Sequence, residues 1–228
     1  MSRTFNGTTQ YLSAASTLLA DEPLSLLCWG NANNITAGHI PLGLGNNGAS
    51  GRFNLGMQGN VGGDPIYAVK DNDAGTGAVF AASSTGYSAT TWHHVAGVYR
   101  NNTSRDAYID GGSKGSDTAT RTDPTPDFIS IGVLRTNTLT GFFDGSNAEA
   151  FLLDYALSDG QVALLGKGIH PLYVGVPLAN IRGWYPLLGD DNNRMANGYP
   201  NLTPTASPTF SAHPPKIIPA RLGSRMSL

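Results

Sequence analysis

The sequence has a single cysteine and no long apolar run. Cys28 is the only cysteine among 228 residues, so no internal disulfide can form. It lies in an apolar segment, residues 24–29, which predicts a buried and unreactive thiol. No segment approaches the roughly twenty apolar residues of a membrane span, and the first five residues lack the apolar core of a signal peptide. We therefore expect that the protein does not insert into a membrane and that it is synthesised in a reducing cytoplasm.

Charge is also scarce, and it is unevenly distributed. Charged residues make up 13% of the chain and the net charge is −2, so no strong field attracts nucleic acid and no nucleic-acid partner is expected. Up to Asp191 the chain has ten Lys or Arg and all sixteen Asp or Glu, a net charge of −6. The remaining residues carry four basic groups and no acid, a net charge of +4. The C-terminal segment therefore differs chemically from the rest.

Two glycine-rich motifs match the sequences of known functional sites but lack the following helix that those sites require. Residues 43–48 (GLGNNG) spell a dinucleotide fingerprint, and residues 111–115 (GGSKG) spell a hydrolase nucleophile elbow. Both motifs require a helix to follow, because the fingerprint places a pyrophosphate at a helix N-terminus and the elbow joins a strand to a helix. Neither is followed by a helix-forming segment. We predict no cofactor and no nucleophile here, and a loop at residues 111–115.

Histidines and aspartates provide only weak metal-site candidates. His93 and His94 are consecutive in a predicted strand, so their side chains point to opposite faces and cannot easily chelate one ion. We expect one to be structural and the other exposed. Asp71 and Asp73 begin like a calcium loop, but the twelfth position is Ala82 and not an acid. These residues predict no metal site.

The remaining sequence is typical of β-structure. Twenty-nine glycines and fourteen prolines indicate many turns, and short β-rich runs recur at roughly ten-residue spacing. The clearest hairpin spans residues 91–111, where two β-rich runs flank a polar turn. Ser158 and Gln161 form a capping-box pattern ahead of an apolar turn that Gly166 or Gly168 can end. This predicts one short helix.

Two blocks carry a family resemblance: residues 92–111 (WHHVAGVY, a turn, AYIDGG) and residues 141–159 (GFFDGSNAEAFLLDYALSD). They resemble the laminin-G-like, concanavalin A-like lectin/glucanase family. The resemblance implies an all-β fold, a two-sheet antiparallel jelly-roll sandwich with one short helix. The sandwich is expected over residues 1–190, with a final strand at about 180–188 that carries Trp184 and closes it from the C-terminal side. Residues 191–228 are expected to form a proline-rich, basic arm.

The resemblance also bears on sites. Family members often hold a structural calcium, but Asn6 and Ala148 replace two family acids and leave Asp144 and Glu149 as weak candidates, so we expect no calcium. Related β-glucanases use a Glu-x-Asp-x-x-Glu run to place two carboxylates about 5 Å apart. This chain has no such run and only one other glutamate, Glu22. No catalytic residues are expected, and the protein is predicted not to be an enzyme.

Two functions remain open. The Trp-Pro-Leu-type strand and the His-Pro-Pro tail resemble proteins of tailed bacteriophages, which implies a non-enzymatic virion structural protein that decorates the capsid or belongs to the tail. It would be located on the virion, and its arm would dock it on neighbouring virion subunits. Homo-oligomerisation is also expected, and carbohydrate would be a further partner. The alternative is a carbohydrate-binding lectin, in which Tyr87 and Tyr199 stack on sugar rings.

Overall fold

A computed structural model describes residues 1–17, 21–195 and 200–214, which form two stacked antiparallel sheets and one α-helix. The strands of the described residues are, in chain order, β1 Ser2–Asn6, β2 Tyr11–Ala15, β3 Leu24–Ala32, β4 Gly38–His39, β5 Leu42–Gly45, β6 Arg52–Gln58, β7 Pro65–Asp71, β8 Val79–Gly86, β9 His93–Asn101, β10 Ser104–Ile109, β11 Gly112–Asp117, β12 Phe128–Ile131, β13 Leu134–Arg135, β14 Leu139–Thr140, β15 Asp144–Leu153, β16 Ile181–Tyr185, β17 Thr203–Thr205 and β18 Thr209–Ser211.

The strand order gives the expected sandwich. Sheet 1 runs β11-β10-β9-β3-β15-β1-β18, and β16 also pairs with β15. Sheet 2 runs β17-β2-β12-β5-β6-β7-β8, and β4 also pairs with β6. β13 and β14 form a separate two-stranded hairpin. The predicted all-β, two-sheet fold with one short helix is confirmed.

The central strands of sheet 1 (β3, β9 and β15) are buried on both faces. Along β3, Leu26 and Cys28 lie in the core between the sheets, whereas Leu27 lies in a second apolar cluster together with Val162 and Leu165 of the helix. Successive strand residues point to opposite faces, so an uninterrupted apolar run is what a doubly covered strand needs. Cys28 is fully buried, as predicted, and burial raises the pKa of its thiol.

The helix that covers the outer face of sheet 1 is α1, Asp159–Leu165. Its N-cap is Ser158, which forms a capping box with Gln161, and its C-cap is Gly166, both as predicted. Two short 3₁₀ helices, Pro171–Val174 and Leu178–Asn180, continue the cover toward β16. Among the described residues, no helix has the length and hydropathy of a membrane span.

Two strands from opposite ends of the chain lie end to end along one edge of β15. β1 pairs with residues 144–147 and β16 pairs with residues 150–153. β16 is the strand expected near residues 180–188. Its Trp184 is half-buried and its ring is parallel to that of Phe151, its partner across the strands.

Part of the predicted C-terminal arm belongs to the sandwich. β17 pairs with β2 in sheet 2, and β18 pairs with β1 in sheet 1. The Arg3 guanidinium binds the carboxylate of Asp191 and the carbonyl of Pro208. This corrects the expected boundary at residue 190, because β17 and β18 cover strand edges that would otherwise present unpaired backbone groups. Residues 215–228 of the predicted arm lie outside the described residues.

Candidate functional site

A recess opens on the outer face of sheet 1, between β16 and the segment that follows α1. It is open to solvent, and the space inside it that a water-sized molecule can occupy is about 20 Å³. Aromatic and polar side chains from five elements meet there. Those that matter for its chemistry are Trp29, His94, Glu149, Phe151, His170 and Trp184. We call this site the sheet 1 recess.

Strand register places the ring systems of the recess. Trp29 and His94 are directly opposite each other on β3 and β9, with ring centroids 5.6 Å apart. Phe151 and Trp184 are opposite each other on β15 and β16, with parallel rings 5.7 Å apart. The His170 ring meets Trp184 edge-on at 4.5 Å. The recess therefore has apolar, aromatic walls.

Glu149 reaches the recess from an irregularity in β15. The pairing of β15 with β3 shifts register between Ala148 and Phe151, which is the mark of a β-bulge. Glu149 has φ +50°, a left-handed conformation that is uncommon for a non-glycine residue and costs about 1–3 kcal/mol. Strain of this kind often accompanies functional sites, and here it accompanies a carboxylate that lines the recess.

Both oxygens of the Glu149 carboxylate have a neighbour. Oε2 accepts a hydrogen bond from Trp184 Nε1 at 2.7 Å, and Oε1 lies 3.3 Å from Nε2 of His213. The residue is 7% exposed. The first contact fixes the carboxylate, and the second brings the C-terminal segment to the edge of the recess.

The two histidines of the recess are buried and uncharged at neutral pH. His94 is 1% exposed and His170 is 7% exposed, and burial lowers the pKa of each imidazole to about 4. Neither ring nitrogen of His94 has a hydrogen-bond partner among the described residues, and nor does Nε2 of His170. His170 Nδ1 accepts from the Leu172 amide at 3.2 Å, so the neutral ring carries its proton on Nε2. The recess thus offers unused donors and acceptors beside a carboxylate.

The structure corrects the expectation for the histidine pair. His93 and His94 point to opposite faces, as predicted, but neither is exposed. His93 is 9% exposed and contacts Asp110 through Nδ1 at 2.8 Å, while its Nε2 accepts from the Ser88 amide at 3.1 Å. His94 is buried because the segment after α1, including His170, covers its face of the sheet.

The tyrosines proposed to stack on sugars are not available as expected. Tyr87 is 4% exposed, and its hydroxyl donates to the carbonyl of Asn34, so the prediction of an exposed stacking platform is wrong. The ring packs into the core between the sheets. Tyr199 lies outside the described residues.

The weak calcium candidates are not brought together. Asp144 accepts hydrogen bonds from Asn33 and Asn34, at the start of β15. Glu149 lies five residues further along, roughly 16 Å at the usual rise of a strand. Among the described residues, no three His, Cys, Asp or Glu side chains form a metal-ligand group.

Residues 71–75 resemble a calcium loop in sequence, but the carboxylates of Asp71 and Asp73 already bind other side chains. Asp71 forms an ion pair with Arg52 at 3.4 Å. Asp73 accepts hydrogen bonds from Asn46 and Thr125 across a neighbouring loop. Both carboxylates therefore already stabilise the connections around β6 and β7.

The glycine motifs lie in β-structure. Residues 43–48 begin within β5 and end in the turn before β6, so the helix of a dinucleotide site does not follow. Residues 111–115 were predicted to be a loop, but they enter β11 after the tight turn at Asp110 and Gly111. The pairing of β11 with β10 makes this segment a strand, which still excludes a nucleophile elbow.

The two glutamates of the chain lie in different places. Glu22 binds the ammonium of Lys70 at 2.7 Å, whereas Glu149 lines the recess. The described residues therefore do not place these two carboxylates together as a retaining glycosidase requires.

Most residues of the recess escaped the sequence analysis. Trp184 was singled out as part of a strand, and Glu149 only as a calcium candidate. Trp29 and Phe151 read as ordinary strand residues, and His170 precedes a proline in a segment without clear periodicity. The one available signal was the doubly apolar character of β3, which indicates that something covers its outer face.

Comparison with known proteins identifies the family and the fold. The family model described as the concanavalin A-like lectin/glucanases superfamily matches residues 6–163. No curated protein matches the chain in sequence.

Several solved structures share the fold. A protein from Bacteroides ovatus, described as a candidate carbohydrate-binding protein, superposes with a TM-score of 0.64 at 18% identity, covering 96% of this chain and 62% of its own. The chain therefore spans less than two thirds of that protein. The heptameric SAP-like pentraxin of Limulus polyphemus superposes with a TM-score of 0.59 at 14% identity, and the match covers 72% of this chain and 81% of the pentraxin chain. The CBM40 domain of the Ruminococcus gnavus IT-sialidase, bound to α2,3-sialyllactose, superposes with a TM-score of 0.54 at 14% identity, and the match covers 73% of this chain and 98% of that domain. At these identities the likeness shows the fold alone.

Proposed function

The chain belongs to the concanavalin A-like lectin/glucanases superfamily, and from this premise we propose that it is a non-catalytic carbohydrate-binding domain whose sheet 1 recess receives a polar group of a sugar bound at its mouth. The fold is shared with a candidate carbohydrate-binding protein and with a domain bound to a sialylated sugar. A shared fold does not by itself fix function, so the proposal depends on the recess.

One observation carries the proposal: the two histidines that line the recess beside Glu149 have three buried ring nitrogens without a hydrogen-bond partner among the described residues. A buried polar atom without a partner costs about 1–3 kcal/mol, so such atoms mark places where a ligand can repay the cost. Each sugar hydroxyl donates one hydrogen bond and accepts others. It therefore matches both the Nε2–H donor of His170 and the acceptor oxygens of Glu149.

The walls of the recess suit the apolar side of a sugar ring. Ligand sites are usually lined by apolar and aromatic side chains with a few polar groups that fix orientation. Trp184 and Phe151 present parallel rings, and Trp29 lies across the recess beside His94. A single carboxylate in the recess favours binding over glycoside hydrolysis, which uses two.

The test is a glycan array on the full chain, followed by calorimetry with Trp184→Ala. We expect binding of at least one oligosaccharide, with about fivefold or greater loss of affinity in the variant, because an aromatic contact is worth about 1 kcal/mol or more. Thermal unfolding of the Trp184→Ala variant shows whether it keeps the fold. If it does not, Trp184→Phe replaces it in the test, because this variant retains the ring contact with Phe151.

Phe80→Ala is the matched control. Phe80 is 45% exposed and stacks on Tyr67 at 4.3 Å in sheet 2, so its loss removes an exposed aromatic ring away from the recess. Affinity should be unchanged. The proposal fails if no glycan binds at millimolar concentration, or if Phe80→Ala abolishes binding while Trp184→Ala does not.

Location on a bacteriophage virion, docking on virion subunits and homo-oligomerisation stay predictions from the sequence. We propose to test them by removing residues 213–228 and measuring incorporation into particles. Loss of incorporation is expected if the segment docks the domain, and unchanged incorporation contradicts that role.

A further inference from the structure

We propose that the sheet 1 recess selects sugars without an acidic group and excludes uronic and sialic acids. This inference rests on the proposed function and names the ligand class of the same site. Glu149 is the residue that determines the selection.

The charges around the recess are one-sided. Among the described residues that line it, Glu149 is the one acid, and none is Lys or Arg. Recognition of a carboxylate usually relies on a guanidinium or ammonium group, most effectively on the two-pronged contact that Arg provides. The recess therefore lacks the partner that an acidic sugar needs.

The two histidines of the recess do not supply a positive charge at neutral pH. Burial lowers the pKa of both imidazoles to about 4, so His94 and His170 are neutral at pH 7. His213 is the other imidazole near the carboxylate, and its Nε2 already lies 3.3 Å from Oε1 of Glu149.

Glu149 cannot easily turn away from the ligand. Its Oε2 is held by Trp184 Nε1 at 2.7 Å, and its backbone is set by the bulge in β15. A ligand carboxylate about 5 Å from this group, at an effective dielectric constant of about 20, would bind on the order of 100-fold more weakly than an uncharged group. A hydroxymethyl group at the same position can instead donate a hydrogen bond to Glu149.

The experiment compares sugars that differ in one group. Calorimetric titrations at pH 7 and low salt use the methyl glycosides of glucose and galactose against methyl glucuronide and galacturonide, and lactose against 3′-sialyllactose. In the wild-type chain we expect the neutral member of a bound pair to bind about 100-fold more tightly. In Glu149→Gln, which keeps the shape and the acceptor for Trp184, the ratio should fall tenfold or more.

Asp64→Asn is the charge control. It removes one negative charge from the turn between β6 and β7 in sheet 2, at φ +48°, a conformation that Asn tolerates. The ratio should not change in this variant.

Three outcomes separate this inference from the proposed function. Equal or tighter binding of the acidic members by the wild-type chain overturns the inference even if Glu149→Gln does not fold. An unchanged ratio in a folded Glu149→Gln also overturns it. No binding of any sugar refutes the proposed function, and the inference with it.

Discussion

Two buried polar side chains, Lys70 and His94, differ in how completely they are bonded. The Lys70 ammonium is fully buried and donates to Glu22 at 2.7 Å, to Asn102 at 2.6 Å and to Asp123 at 2.6 Å. All three of its donors are used. In the sheet 1 recess, by contrast, both nitrogens of His94 are buried without a partner among the described residues.

The difference separates a cluster that maintains the fold from one that can bind a ligand. A buried charge costs several kcal/mol unless it is paired, so the Lys70 ammonium has to be fully paired in the free protein, although Oε1 of Glu22 has no hydrogen-bond partner among the described residues. A neutral imidazole can remain unpaired at a smaller cost, which a ligand can repay. Removing a side chain from the first cluster should therefore damage the fold, and removing one from the second should damage binding.

The largest effect is expected from Lys70→Met. This change leaves the carboxylates of Glu22 and Asp123 without their cation and should lower the free energy of unfolding by about 3 kcal/mol or more. Urea unfolding measures it. Lys114→Met is the control, because the Lys114 side chain is 36% exposed and its ion pairs should contribute about 1 kcal/mol or less. Similar losses in both variants would contradict a structural role for the Lys70 cluster.

A smaller effect is expected from acidification, and it arises in the recess. Between pH 6.5 and about 4 the unfolded chain protonates His94 and His170, while the folded chain does not. The unfolded state then binds more protons, so stability is complete above pH 6.5 and falls as the pH drops, by about 1.4 kcal/mol per pH unit for each histidine. His170→Asn keeps an N-cap acceptor without a titrating ring.

Between pH 7 and pH 5, the free energy of unfolding of the His170→Asn variant should fall by about 2 kcal/mol less than that of the wild-type chain. Urea unfolding at the two pH values measures the difference. Equal losses would mean that His170 does not resist protonation in the folded state.

The smallest effect on stability, and the sharpest contrast, is expected from His94→Leu. Because the ring of His94 has no hydrogen bonds to lose, the free energy of unfolding at pH 7 should stay within about 1 kcal/mol of the wild-type value or rise. Sugar affinity should fall about tenfold.

His93→Leu is the matched comparison on the adjacent residue. It removes the contacts with Asp110 and Ser88 and should cost about 1–2 kcal/mol, with sugar affinity unchanged. A larger loss of stability in His94→Leu than in His93→Leu would reverse the assignment of the two histidines.

Features that depend on neighbouring residues were predictable from the sequence. The capping box of Ser158 and Gln161 predicted α1, and Gly166 ends it. The hairpin of β9 and β10 followed from β-rich runs around a short turn. The family resemblance supplied the sandwich, which such local signals alone do not specify.

Features that depend on distant partners were not predictable. Residues 111–115 were predicted to be a loop because Gly, Ser and Lys are weak strand formers, yet pairing with β10 makes residues 112–117 a strand. One of His93 and His94 was expected to be structural and the other exposed, because no local signal shows that residues 166–170 fold over His94. Glu149 was named only as a weak calcium candidate, and the sequence did not show the bulge and the contact with Trp184 that place it in the recess.

The pairing of β1 with β18 has a consequence for biosynthesis. Ser2 and Ser211 are register partners, so β1 finds its outer neighbour only after the ribosome has made the whole stretch of chain between them. Until then the nascent chain presents a free strand edge, which favours chaperone binding and aggregation. We expect in vitro translation products that stop before residue 203 to stay bound to chaperones and those that extend past residue 211 to be released, because β18 then covers the free edge of β1.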